Sequence, residues 1–233
     1  MTLPIINAPT YELTVPSTKE KITYRPFLVK EEKILLTAME TGGENDMVNA
    51  LKQIITNCLQ SKIDLDSLAT FDLEYIFLNL RSKSIGEVAT VNVTCPDDGE
   101  TQVPVEIPLD EIEVTFPEGH SNKIELTDTI GMTMRYPDFT IASIQRESNT
   151  EFLFEMIKGC ITQITDGETV HERIDFTDKD LDVFLDSLNS KQLEGVQSFF
   201  ETMPKLRHEI SVTNPKTKKK NKITLEGLDA FFA

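Results

Sequence analysis

Apolar residues recur along the chain with two periods, and the alternation between them predicts the elements. Near the N-terminus Glu12-Leu13-Thr14 and Ile22-Thr23-Tyr24-Arg25-Pro26-Phe27 alternate as a pair of strands that stops at a proline. Leu51, Ile54, Ile55, Cys58 and Leu59 then fall at i, i+3, i+4, i+7 and i+8, one face of a helix. Leu73, Ile76, Phe77 and Leu80 predict a second helix, and Val93 to Pro96 with Val105, Ile107, Leu109 and Ile112 predict a hairpin. The second half repeats the order. Glu125-Leu126-Thr127 and Met132 to Pro137 read as strands, and a helix opened by Ser148 and Glu151 carries Leu153, Met156, Ile157, Cys160 and Ile161. A helix capped by Thr177 and Asp180 turns Leu181, Phe184, Leu185 and Leu188 inward. A further helix runs from Ser190 to Pro204, and a last hairpin joins Val212-Thr213-Asn214-Pro215 to Ile223, Leu225 and Leu228.

The two halves echo each other. At a fixed offset of 102, Leu51 falls on Leu153, Ile54 on Met156, Ile55 on Ile157, Cys58 on Cys160 and Leu59 on Ile161. Both halves open with a strand pair ending at proline, and both close with a proline-led hairpin. The expected fold is α+β, a tandem of two related units, each a strand pair, two or three helices and a closing hairpin. The expected units are 1–117 and 118–233, the second with one extra helix, divided at the turn residues Phe116-Pro117-Glu118-Gly119.

Charge sharpens this picture. The 233 residues hold 23 Lys and Arg against 39 Asp and Glu, a net charge of -16, which repels phosphate backbones and anionic lipid. No apolar run reaches the ~18 residues of a membrane span, and the start lacks the pattern of a signal peptide, so the cytoplasm that made the protein is the expected compartment. One segment departs from the average: Lys216, Lys218, Lys219, Lys220 and Lys222 crowd into a single hairpin turn. The matching turn of the first half is Asp97-Asp98-Gly99-Glu100, so the two tips differ in sign.

Candidate chemistry is sparse. Cys58, Cys95 and Cys160 are too few and too scattered for a disulfide framework. A metal knuckle at Cys95-Pro96 would need its second ligand where Asp98 stands, and Asn214-Pro215-Lys216-Thr217 offers no ligand set. Asp178, Asp180 and Asp182 resemble the start of a calcium loop, but Val183 and Asn189 occupy the positions that need glycine and glutamate, and helix capping accounts for the acids. His120, His171 and His208 stand apart and read as surface residues. No phosphate loop or nucleophile motif occurs, and the lysine turn has no interleaved aromatic residue to stack on bases. The chain therefore reads as non-enzymatic, without cofactor or metal, and as a binder of proteins rather than of nucleic acid or membrane. The candidate partner-binding residues are Lys216, Lys218, Lys219, Lys220 and Lys222, the opposed Asp97 and Asp98, and the terminal Phe231 and Phe232, which either dock on a partner or close the second core.

The run Phe71-Asp72-Leu73-Glu74-Tyr75-Ile76-Phe77-Leu78-Asn79-Leu80-Arg81-Ser82-Lys83-Ser84-Ile85-Gly86-Glu87, followed by Thr94-Cys95-Pro96, resembles the central signature of baseplate hub proteins of T-even-type contractile-tailed bacteriophages. The ending through Leu225, Gly227, Leu228, Phe231 and Phe232 is similar to theirs. The resemblance implies a hub subunit or an assembly factor that leaves before completion, with no enzymatic activity. It implies other hub proteins as partners, in a hetero-oligomer or a transient complex, in the host cytoplasm or the virion tail baseplate. Some relatives carry a second cysteine where this chain has Asp98. The competing class is an acidic regulatory or inhibitory protein that presents carboxylates to a host protein.

Overall fold

Strands β1 (Tyr11–Thr14) and β2 (Lys21–Tyr24) form an antiparallel hairpin in the computed structural model, which describes residues 7–41, 44–142 and 148–231. Two helices follow, α1 (Val29–Thr41) and α2 (Glu44–Cys58), and then α3 (Thr70–Ile85). The α3 sequence predicts one apolar face, but Phe71 and Leu78 are buried along with Leu73, Ile76, Phe77 and Leu80. Burial on opposite faces places this helix inside a core, where it packs against α2 and the strand Glu113–Thr115. Three strands follow α3, the hairpin β3 (Val88–Thr94) and β4 (Gln102–Pro108), and the short β5 (Glu113–Thr115).

The next segment is a four-stranded antiparallel sheet with helices packed on its apolar side. Its strands are β6 (Lys123–Glu125), β7 (Ile130–Met134), β8 (Ile161–Asp166) and β9 (Thr169–Glu172), in that spatial order. Between β7 and β8 lie α4 (Phe139–Ala142) and α5 (Asn149–Cys160); after β9 come α6 (Asp178–Asp186) and α7 (Ser190–Thr202). Met132, Met134, Ile157, Ile161, Leu181, Val196 and their neighbours make one core. The reciprocal box at the start of α6 is present, with Thr177 and Asp180 each capping the other's backbone N–H. The β8–β9 hairpin has no counterpart in the sequence reading, where Ile161 closed a helical stripe. Helix α5 ends at Cys160, and Ile161 already pairs with Met134.

The last strands are β10 (Lys205–Thr213) and β11 (Lys220–Glu226). They differ from the expected arrangement in their allegiance. β10 pairs with β5 through Lys205↔Thr115, Leu206↔Val114 and Arg207↔Glu113, giving a sheet ordered β11-β10-β5. Residue contacts accordingly gather Met1–Thr115 with Lys205–Ala233 as one unit and Phe116–Pro204 as the other. The expected second unit, 118–233, thus loses its closing hairpin to the first, because the free edge of β5 supplies backbone partners that β10 completes. Phe231, at 1% exposure, likewise lies in the core of the first unit.

The helices aligned through Cys58 and Cys160 end in matching surroundings. The residue after each cysteine pairs with the second strand of its unit, as Tyr24↔Leu59 and Met134↔Ile161. Each cysteine carbonyl accepts from the arginine after that strand, Arg25 N at 3.0 Å and Arg135 N at 2.8 Å. Each guanidinium also donates to the carbonyl one residue earlier, Asn57 O at 2.8 Å and Gly159 O at 3.2 Å. Each then pairs with a carboxylate at the start of the next helix, Glu31 or Asp138. A helix C-terminus presents carbonyls without intrahelical partners, and a cation there satisfies and neutralises them.

Candidate partner interface

Three tight turns share one construction. Val15-Pro16, Cys95-Pro96 and Asn214-Pro215 each begin a turn in which proline presets φ, and the fifth residue is left-handed: Lys19 at φ 60°, Gly99 at 69° and Lys218 at 61°. In each, the fifth N–H donates to the first carbonyl at 2.9 Å. Glycine adopts this conformation freely, whereas the two lysines hold it against their Cβ.

The second and third turns, the acidic and the basic tip, lock together inside the first unit. Asp97 Oδ1 accepts from Asn214 Nδ2 at 2.9 Å and from Asn221 Nδ2 at 2.9 Å, and Asp97 Oδ2 accepts from the Thr217 hydroxyl. Lys216 Nζ lies 3.4 Å from Glu100 Oε2. Asn214 is fully buried, and its Oδ1 accepts from the N–H of Lys216 at 2.8 Å and of Thr217 at 3.2 Å. One amide therefore shapes its own turn and clasps the other. Hydrogen bonds from Thr217 and then Asn214 hold the Asp97 carboxyl below its ordinary range.

Asp98 is committed locally. It accepts from Thr101 Oγ1 at 2.6 Å and from the N–H groups of Thr101 and Glu100, and the Thr101 bonds depress its pKa. Cys95 is buried, its thiol pushed up by that burial and by the neighbouring Asp97 and Asp98. Cys95 and Asp98 share the spacing of Asn214 and Thr217, as two knuckles of a tetrahedral metal site would. Cys95 is the only soft donor among these four, and the bridging is done by the Asp97 carboxylate. Among the described residues no group of three or more His, Cys, Asp or Glu is placed to hold a metal ion.

A family model described as T4 bacteriophage base plate protein matches residues 8–233. The chain belongs to that family. No curated protein and no solved structure matches it. In this base plate protein the residues singled out by sequence divide into three groups. Asp97, Asp98 and Lys216 are engaged within the chain: Asp97 by neutral groups of the lysine turn, Asp98 by Thr101, and Lys216 by Glu100. Lys218, Lys219, Lys220 and Lys222 stay exposed, and no ion pair among the described residues engages them. Phe231 is buried and therefore not free to dock, because it closes a core, though that of the first unit; Phe232 lies outside the described residues.

One further residue of the base plate protein escaped the sequence. His120, expected on the surface, stacks on Tyr136 at 5.6 Å and tilts against Phe199 at 5.2 Å. The Thr202 hydroxyl donates to Ser198 O, so His120 Nδ1 must donate to Thr202 Oγ1 at 3.0 Å, leaving Nε2 unprotonated and buried without a partner. Burial holds the imidazole below its usual pKa. Its contact with Thr202 spans 82 residues, and no local pattern announces it. Among the described residues no helix is long and apolar enough to cross a membrane.

Proposed function

We propose that this base plate protein is a non-enzymatic component of the baseplate hub, a structural subunit or an assembly factor, that works by binding other hub proteins. The observation that carries the reading is the clasped pair of hairpin tips. Asp97 holds the lysine turn in place through three hydrogen bonds, so four exposed lysines are presented on a fixed support by a chain of net charge -16. Fixing a charged tip before contact lowers the ordering cost of binding, and charge complementarity directs the encounter. Work in the host cytoplasm and in the virion tail both fit this reading.

Co-expression with candidate hub proteins, followed by size-exclusion chromatography at low and moderate salt, tests it. Co-elution that is lost on reversing Lys218, Lys219 and Lys220 is the expected result. Failure to co-elute with any hub protein refutes it. An acidic inhibitor of a host protein would make no use of these lysines, and its binding would survive the reversal. Mass spectrometry of mature particles separates subunit from assembly factor, since only a subunit stays in the virion.

We also infer that the halves are diverged copies, 1–117 and 118–233. The matched Arg25 and Arg135 contacts at the Cys58 and Cys160 helix ends support this, as do the like turns at Cys95 and Asn214. On this reading the second copy's closing hairpin is packed in the first unit, beside the hairpin it resembles.

A further inference from the structure

Strand β9 is the open edge of its sheet. Among the described residues it pairs with β8 on one side only, and all four of its residues are exposed. Natural edge strands are blunted by shortness, charge, proline or a bulge; Thr169-Val170-His171-Glu172 is short and the Glu172 N–H is taken by Asp175 Oδ2 at 2.8 Å, but it has no lysine, proline or bulge around Val170. Two large apolar side chains stand in water here, Val170 at 51% exposure and Ile174, just past the strand, at 92%. Along the strand and the turns that flank it stand Asp166, Glu168, Glu172 and Asp175 against Arg173, so this edge is net negative.

The segment that best complements it lies on the same chain. Strand β11 is also a sheet edge, paired only with β10, and it runs directly out of the lysine turn. Lys218, Lys219, Lys220 and Lys222 are exposed along it, whereas the base of the hairpin is already neutralised by Arg207 with Glu226. One surface thus offers a partly open backbone edge, apolar side chains and negative charge. The other offers an unpaired backbone and positive charge on a clasped, preorganised support.

We propose that the lysine-bearing β10–β11 hairpin of one copy docks on the acidic β9 edge, at Val170 and Ile174, of a second copy of this chain. This rests on the reading of the lysine tip as a docking element and names the partner. The two surfaces differ, so the contact is head-to-tail and each dimer keeps one free surface of each kind for further copies. Sheet pairing supplies the backbone hydrogen bonds, and the charges set the orientation. The contact strengthens at low ionic strength because exposed charges are screened over a Debye length of ~8 Å at physiological salt.

Sedimentation velocity on the full chain over a range of concentrations tests this, at low salt and at about 0.3 M. Self-association is expected at low salt, weakened at least tenfold at the higher salt. Variant K218E/K220E/K222E, with the tip reversed, and variant E168K/V170K/I174K, with the edge reversed, should each stay monomeric at native melting temperature. Mixed one to one they should form a dimer, since the first retains the acidic edge and the second retains the lysine tip. If the triple edge variant melts early, Ile174→Asp alone replaces it and should weaken association at least threefold. A monomeric wild type at low salt overturns the proposal, as does association that survives lysine reversal, or a mixture that fails to pair. A wild type that is monomeric, yet loses hub-protein co-elution on lysine reversal, sinks the self-contact and leaves the docking reading standing. Reversal that alters neither sinks both.

Discussion

Replacing Asn214 tests whether the two hairpin tips are held together as the geometry implies. Alanine removes three hydrogen bonds at once: the Nδ2 bond to Asp97, and the bonds that Oδ1 accepts from the N–H groups of Lys216 and Thr217. The backbone bonds of Asn214 with Lys218 and Lys219 remain, so the turn keeps its path. At about 1 kcal/mol net for each lost bond the sum is near 3 kcal/mol, and water reaching the exposed turn N–H groups brings it to about 2 kcal/mol. With a urea slope of about 2 kcal/mol/M this moves the unfolding midpoint down by roughly 1 M. Far-UV circular dichroism follows the transition, since the chain has no Trp. Hydrogen exchange should show the loss at β10 and β11, because the clasp lies wholly within one unit.

Asn214→Asp gives the sharper contrast. The new carboxylate still accepts from the two turn N–H groups, but it sets an oxygen where Nδ2 now lies 2.9 Å from Asp97 Oδ1. Two facing carboxylates raise each other's pKa in the folded state, so the folded chain binds protons more readily than the unfolded one. Stability of this variant should therefore rise as pH falls from 7 toward 5, whereas Asn214→Ala shows no such recovery. A midpoint for Asn214→Ala within error of wild type, or identical pH behaviour of the two variants, would refute the clasp.

The remaining expectations concern single residues. His120 has a folded pKa below the ordinary value of about 6.5, so the unfolded chain protonates first and stability falls as pH drops below about 6.5; melting temperatures of wild type and His120→Phe between pH 5 and 8 should diverge only at the acid end. Burial pushes the Cys58 thiol up to about 11 and the Cys160 thiol up to about 12, so neither should react with a disulfide reagent at pH 8 until denaturant is added; labelling of the native chain within minutes would contradict this. Glu31 has a fully buried side chain facing Arg25 at 3.0 Å, so Glu31→Ala should cost about 3 kcal/mol in urea unfolding, while an apolar pair replacing both residues should cost less than that single change. Lys218→Gly relieves a left-handed backbone at φ 61° and should stabilise the hairpin by about 0.5–1 kcal/mol, read by the same titration.

Much of this protein is written in short stretches of sequence. Periods of two and 3.6, the proline-led turns, the Thr177 and Asp180 cap and the lysine tip each depend on residues within a few positions of one another, so the α+β class and most elements follow from local pattern. The signature from Phe71 to Glu87 pointed to the base plate family by the same kind of local record. What only the tertiary structure decided are pairings between distant segments. Leu78 falls outside the apolar stripe that the spacing predicts for α3, yet the folded core buries it. β10 chose β5 over a place in its own half because an unpaired strand edge must find hydrogen bonds wherever the folded chain offers them. Asp97 and Asn214, 117 residues apart, carry nothing in their neighbourhoods to say that opposite tips would meet. Local pattern chooses elements because their hydrogen bonds and side-chain faces close within a few residues. Burial and backbone satisfaction are settled over the whole chain, and there the site took its shape.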